Sequence, residues 1–227
     1  MRKETIKKLP NRITMIRVIL VILFIPALLF NDIASGSLGR FTEIAGGSSL
    51  RGMLLSYAAL FLLVLAAVSD FFDGYIARKY DVVSNFGKVM DPLADKILVV
   101  SAMLGFIQLG IVPAWMVIII IGREFLVSGI RIIAAQKGKI ISASGLGKVK
   151  TVTQITAIII TLVFLCVNKT IIHYSLPREG IMPEGALQEI SLLGILPYWL
   201  MFIAAAVSLV SGLEYYFKNK KIFEKEL

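Results

Sequence analysis

Apolar residues run through this chain in long blocks, and the charged residues collect in short clusters at the ends of those blocks. A helix needs roughly 17–25 mostly apolar residues to cross the hydrocarbon of a bilayer. Six blocks qualify, over about 13–30, 53–78, 86–108, 112–134, 149–171 and 192–217. The pattern predicts an all-α integral membrane fold of six transmembrane helices. The cut between the third and fourth is the faintest, marked only by Gln108, Gly110 and Pro113. Ahead of the first block, Lys3, Lys7 and Lys8 interleave with Ile6 and Leu9. That predicts a short amphipathic segment over 1–11, lying along the membrane surface. No internal repeat or low-complexity tract divides the chain, so residues 1–227 are expected to form one domain.

Composition agrees with the pattern. Of 227 residues 57% are hydrophobic and 17% charged, with a mean hydropathy of +0.83. A soluble domain of this length cannot hide so much apolar surface in one core, so the bilayer must take part as solvent. Cys166 is the only cysteine, which excludes a disulfide framework. A net charge of +9 raises the question of nucleic acid. The clustering of the charges at block ends argues instead for topology signals and a surface facing anionic lipid. The first block has the length of a span and no small-residue cleavage site after it, so no cleavable signal peptide is expected.

The cations also orient the chain. Of 24 lysines and arginines, Arg40, Arg51, Lys169 and Arg178 are assigned to the loops after the first and fifth spans, and the loop after the third has none. The N-terminus, the second and fourth loops and the C-terminus carry Arg2, Lys3, Lys7, Lys8, Arg78, Lys79, Lys137, Lys139, Lys148, Lys218, Lys220 and Lys221. By the positive-inside rule both termini are cytoplasmic, which an even number of spans permits.

Four carboxylates stand out against this background. Asp70 and Asp73 lie at the cytoplasmic end of the second span, Asp91 and Asp95 at the cytoplasmic start of the third. Asp70, Gly74 and Arg78 follow one another at helical i, i+4, i+8 spacing, and Gly87, Asp91 and Asp95 repeat it. Helices joined by a short loop are antiparallel neighbours, so the four carboxylates can face each other at one depth. An ionised aspartate in a span costs on the order of 2.5–3.5 kcal/mol, and four together repel unless cations sit between them. Oxygen donors without a Cys or His cluster point to hard cations, Mg²⁺ or Mn²⁺. Four shared carboxylates suit two such ions roughly 3.5–4 Å apart, an arrangement used for displacement at phosphorus. The plainer reading is a set of solvated or snorkelling caps, which requires no such spacing. Gly74 and Gly87 taken alone would be packing residues; one turn from aspartates, they let a nucleotide approach the backbone. Pro92 reads as a kink or first-turn proline beside the site.

Asp70-x-x-Asp73-Gly74-x-x-Ala77-Arg78, eight residues, then Gly87-x-x-x-Asp91-x-x-x-Asp95 resembles the signature of the CDP-alcohol phosphotransferases without a departure. The resemblance implies a six-span plan and a homodimer. It implies that Asp70, Asp73 and Asp91 bind two divalent cations, with Asp95 completing the metal site and acting as general base. It also implies CDP contacts from Gly74, Ala77 and Arg78, and extends them to Gly87, Asn11 and Thr14. Three further stretches resemble the bacterial phosphatidylglycerophosphate synthase branch: Pro10-Asn11-Arg12-Ile13-Thr14-Met15-Ile16-Arg17, Gly122-Arg123-Glu124 with Arg131, and Gly147-Lys148-Val149-Lys150-Thr151 with Gln154. That branch joins CDP-diacylglycerol to sn-glycerol 3-phosphate and releases CMP at a bacterial plasma membrane.

The cations support a phosphorylated acceptor on separate grounds. Arg123 and Arg131 lie in the cytoplasmic half of the fourth span, Lys148 and Lys150 at the cytoplasmic start of the fifth. An arginine as deep as Arg123 is costly and marks a functional position by default, with Glu124 beside it as partner. Arginine forks match phosphate oxygens, so the four cations are expected to bind the acceptor phosphate. For Lys148 and Lys150 the plainer reading is positive-inside topology. Gly145-x-Gly147-Lys148 lacks the spacing of a nucleotide P-loop. A sister enzyme with another acceptor, such as serine, inositol phosphate or a lipid, would leave an arginine cluster unexplained if that acceptor were uncharged. A cation transporter would need polar residues continuing outward beyond the four aspartates.

Overall fold

The structure is a computed structural model describing the backbone of residues 3–33, 50–80, 85–138, 141, 145–175 and 184–220. Side chains are described for 14–30, 50–69, 90, 93–138, 141, 145–171, 173–174 and 195–220. Every regular element among these residues is a helix: α1 (Lys3–Ile33), α2 (Leu50–Tyr80), α3 (Asn85–Gln108), α4 (Ala114–Gln136), α5 (Gly145–Ser175) and α6 (Glu184–Asn219). Each of the six apolar blocks falls within one of them, save the short Val112–Pro113 lead into α4. In hydrocarbon a helix is the one open-ended structure that satisfies its own backbone hydrogen bonds, which is why long apolar blocks become helices.

Two expectations change. The amphipathic N-terminal segment is not a separate element: α1 starts at Lys3 and continues through Pro10 to Ile33. No glycine or turn cluster separates the basic stretch from the apolar one, and Pro10 by itself does not end the helix. Lys169 and Arg51 also leave the loops assigned to them. Lys169 is buried within α5, and Arg51 lies in the first turn of α2. The faint cut after the third block is real. Gly110 takes a left-handed φ of +69° that a side chain would resist, and Pro113 supplies the extended residue ahead of α4.

The outward faces of the helices are apolar. Leu54, Phe61, Ile118, Phe125 and Val152 are exposed, the reverse of a soluble helix, whose exposed stripe is polar. Leu50–Ser69, Gly145–Ile171 and Ile195–Asn219 are each long and apolar enough to cross a bilayer, and Thr14–Phe30 is a shorter apolar helix. This is a membrane protein.

The chain divides into two compact units, residues 1–109 with 162–184, and residues 110–161 with 185–227. In the first, α1 packs against both α2 and α3. Its buried stripe of Thr14, Arg17, Val21, Phe24, Ala27 and Leu28 recurs at helical spacing. Tyr57 on α2 hydrogen-bonds Thr170 in the C-terminal half of α5 at 3.0 Å. The second unit contains α4, the N-terminal half of α5 and the described part of α6.

Close approach of α1 and α3 depends on Gly105. A Cβ there would stand 2.3 Å from Leu28 Cδ2 and 2.8 Å from its Cγ, and Leu28 is itself buried. Small residues at such crossings set how near two membrane helices come. Gly105→Ala is expected to destabilise the protein by about 1–3 kcal/mol, the usual cost of overpacking. On a Leu28→Ala background the same change should cost far less, and melting midpoints of the four variants in detergent check this coupling.

Candidate active site

In the first unit, the last three turns of α2 carry Asp70, Asp73, Gly74, Ala77 and Arg78, and the opening turns of α3 carry Gly87 and Asp91. The side chains of these seven, and of Asn11 on α1, lie outside the described residues. Pro92 falls inside α3. Among the described residues no group of three or more Asp, Glu, His or Cys side chains gathers as a metal site.

Asp95 and Thr14 are described. Thr14 is fully buried. The Asp95 side chain is 52% exposed, while the Arg17 guanidinium, 1% exposed, sits 3.6 Å from its Oδ1. One carboxylate oxygen is thus turned toward a buried cation while about half of the side chain stays exposed. Arg17 closes the Pro10–Arg17 motif, which by itself assigns it no role in the site. The available signal was its position on the Thr14–Arg17–Val21–Phe24 stripe, which puts a charge among core residues and therefore demands an acid nearby.

The second unit holds Arg123 and Arg131 of α4 and Lys148 and Lys150 of α5. On α4 the buried residues Met116, Val117, Ile120, Val127, Ile130 and Ala134 form one face, and Arg123 continues that face at the same spacing. Its side chain is 10% exposed. Arg123 Nη2 donates to Ser211 Oγ on α6 at 2.8 Å, and Nη1 lies 3.5 Å from Glu124 Oε1. That same Glu124 oxygen accepts from Lys150 Nζ on α5, whose side chain is buried. Adjacent residues of α4 therefore reach two different helices. Arg131 donates from Nε to Tyr215 Oη at 3.3 Å, with its guanidinium carbon 5.6 Å from the Tyr215 ring centre. Tyr215 is buried against Val127 and Ile130.

Glu124 is thus the partner of Arg123 that the sequence indicated, and Lys150 shares it. Lys148 takes the exposed side of α5, because residues two apart on a helix face different ways. Among the described residues no contact ties it to Arg123, Arg131 or Lys150. Gly145-x-Gly147-Lys148 forms the first turn of α5. Ser211 and Tyr215 carried no signal: a serine and a tyrosine in an apolar block look like ordinary packing until the arginines are seen to touch them.

Residues 7–211 match the sequence profile of the CDP-alcohol phosphatidyltransferases, and this chain belongs to that family. It is similar to the CDP-diacylglycerol–glycerol-3-phosphate 3-phosphatidyltransferase of Bacillus subtilis, at 37% identity over 93% of this chain and 94% of that protein. The enzyme of the same name from Rickettsia felis is 32% identical over 96% of this chain and 98% of its own length. A probable phosphatidylglycerophosphate synthase of Mycobacterium tuberculosis is 33% identical over 69% of this chain and 66% of its own.

The Glu124–Lys150 pair should be asymmetric in its effect on stability. Glu124→Gln removes a counter-charge of a buried ammonium; Lys150→Met leaves a partly exposed carboxylate beside Arg123. The first is expected to cost about 2–3 kcal/mol, less than the roughly 3–5 kcal/mol of a fully buried pair, because Glu124 is partly exposed. Lys150→Met should cost clearly less, as read from melting midpoints in detergent.

Proposed function

We propose that this chain transfers the phosphatidyl group of CDP-diacylglycerol to sn-glycerol 3-phosphate, giving phosphatidylglycerophosphate and CMP, in phospholipid biosynthesis. Beyond family membership, one observation carries the acceptor: Arg123 and Arg131 are held on Ser211 and Tyr215 of one helix, with Glu124 shared between Arg123 and Lys150. Two arginine guanidiniums in one network suit a phosphomonoester dianion and would meet no phosphate on serine or a neutral alcohol.

In this reading Asp95 accepts the proton of the acceptor hydroxyl, and the resulting oxygen attacks the phosphorus that bears diacylglycerol. The bond to the cytidylate oxygen breaks and CMP departs. Arg17 holds Oδ1 of Asp95. Gly74, Ala77, Arg78, Gly87, Asn11 and Thr14 seat the CDP portion. The donor set of Asp70, Asp73, Asp91 and Asp95 is all oxygen, at the end of α2 and the start of α3, and so fits two Mg²⁺ or Mn²⁺ ions. Such ions, when bound, neutralise the diphosphate and the charge developing on the leaving group. The protein crosses the plasma membrane six times with both termini cytoplasmic, and works as a homodimer. The lysine and arginine distribution supports the topology, and the family resemblance the dimer.

Detergent-purified enzyme given CDP-diacylglycerol and a panel of acceptors should release CMP with glycerol 3-phosphate and not with serine or inositol. Asp70→Asn, Asp73→Asn, Asp91→Asn and Asp95→Asn should each abolish CMP release, since loss of several kcal/mol of barrier lowering means several powers of ten in rate. A chelator should do the same, reversed by Mg²⁺ or Mn²⁺; full turnover in excess chelator would overturn the metal assignment. Arg123→Ala and Arg131→Ala should raise the KM for glycerol 3-phosphate about 10- to 100-fold, as expected for a charge-assisted hydrogen bond made already in the ground state. The KM for CDP-diacylglycerol should hardly move in those two variants, and Arg78→Ala should show the opposite pattern.

A further inference from the structure

Helix α6 carries none of the residues that the chain's motifs point to, yet it touches both arginines of the acceptor site. Ser208, Ser211, Gly212 and Tyr215 recur at helical spacing on its buried face. A hydroxyl inside an apolar helix bundle is costly unless it hydrogen-bonds, so two that meet guanidiniums are there for a reason. The spacing supplies it. Arg123 and Arg131 are eight residues apart on α4, about 12 Å along the axis, too far for one phosphate to meet both at their backbones. Their anchors Ser211 and Tyr215 are four residues apart, about 6 Å along α6. The two hydrogen bonds therefore draw together heads that their own helix spreads apart.

Gly212 makes the crossing possible. A Cβ there would lie 2.8 Å from Arg123 Cγ, near the root of the side chain, where the stem cannot swing aside freely. Two atoms show that the pair is set up to receive something more. Arg123 Nε is buried and, among the described residues, has no hydrogen-bond acceptor. Tyr215 Oη accepts from Arg131 Nε, so it keeps its own proton to donate, and the two terminal nitrogens of Arg131 remain as a fork. An anion of several oxygens would satisfy these donors together.

We propose that Ser211, Gly212 and Tyr215 of α6 are the positioning residues of the acceptor-phosphate site. Ser211 and Gly212 set the Arg123 guanidinium; Tyr215 sets that of Arg131 and donates its hydroxyl proton to the phosphate. This rests on the acceptor reading above. It makes α6 a determinant of selectivity for phosphorylated over neutral acceptors.

The test uses full-length enzyme in detergent and two readouts: steady-state KM for each substrate, and the rise in melting midpoint on adding glycerol 3-phosphate, with glycerol as the uncharged control. Ser211→Ala and Tyr215→Phe keep the packing and remove one hydroxyl each. Each should raise the acceptor KM roughly three- to tenfold, the loss of one modest hydrogen bond, and shrink the stabilisation by glycerol 3-phosphate. The KM for CDP-diacylglycerol and the ligand-free melting midpoint should stay near wild type. Gly212→Ala should give the larger acceptor defect, and in an Arg123→Ala background should add nothing. If the hydroxyl variants change stability or both KM values alike, α6 is merely structural and the proposal is wrong. If Arg123→Ala raises the acceptor KM while Ser211→Ala and Tyr215→Phe leave it alone, the acceptor reading stands and the role of α6 falls. If Arg123→Ala itself has no effect on the acceptor, the underlying reading fails and this one with it.

Discussion

A charge buried among apolar helices must bring a partner, and in this protein that constraint shapes the interior of both compact units. Arg17, on the core stripe of α1, is met by Asp95 of α3. Arg123 and Lys150 are met by Glu124, with Ser211 taking a further proton of Arg123. Leaving any of these ions uncompensated in a medium of low dielectric costs several kcal/mol, so helix rotation and depth are constrained by the need to pair them. Apolar packing alone would tolerate many rotations of helices that are apolar all round.

The same pairs that make the helices compatible with burial are the groups to which the proposed function gives work. Arg17 secures one oxygen of the residue assigned as base. The Arg123–Glu124 dipeptide reaches from α4 to α5 on one side and to α6 on the other, so Arg123 and Lys150 are held by a carboxylate, and Arg123 by a hydroxyl as well, rather than left to swing in solvent. A preorganised cation binds a phosphate without losing side-chain freedom at the moment of binding. In the proposed reading the pairs are structural and functional at once, and substitutions that remove a hydroxyl and leave the charges separate stability from acceptor affinity.

How far the molecule could be read without coordinates differs by feature. The helices were legible because an apolar block of the right length has only one way to satisfy its backbone in lipid. The Gly110–Pro113 break was legible too, since glycine and proline act through their own local backbone chemistry. The separate amphipathic segment was not: whether a basic stretch continues a helix or leaves it depends on what the first turns pack against. Lys169 was misplaced for a similar reason, because charge alone suggests a loop while α5 in fact runs on to Ser175.

For the site, the sequence by itself determined the family and the residues on which the proposed chemistry rests. Aspartates at i, i+3 and i+4 spacing with glycines one turn away, and arginines inside a span, are choices that membrane insertion penalises unless they are used, so their presence is informative without any contact being known. Tertiary structure decided the partners. That Asp95 faces Arg17, that Glu124 serves Lys150 as well as Arg123, that Lys148 and Lys150 part company, and that Ser211, Gly212 and Tyr215 belong with the arginines all depend on which helix faces cross. Serine, glycine and tyrosine are ordinary in a membrane helix, and only the approach of a guanidinium from a helix some eighty residues away in the chain gives them a role.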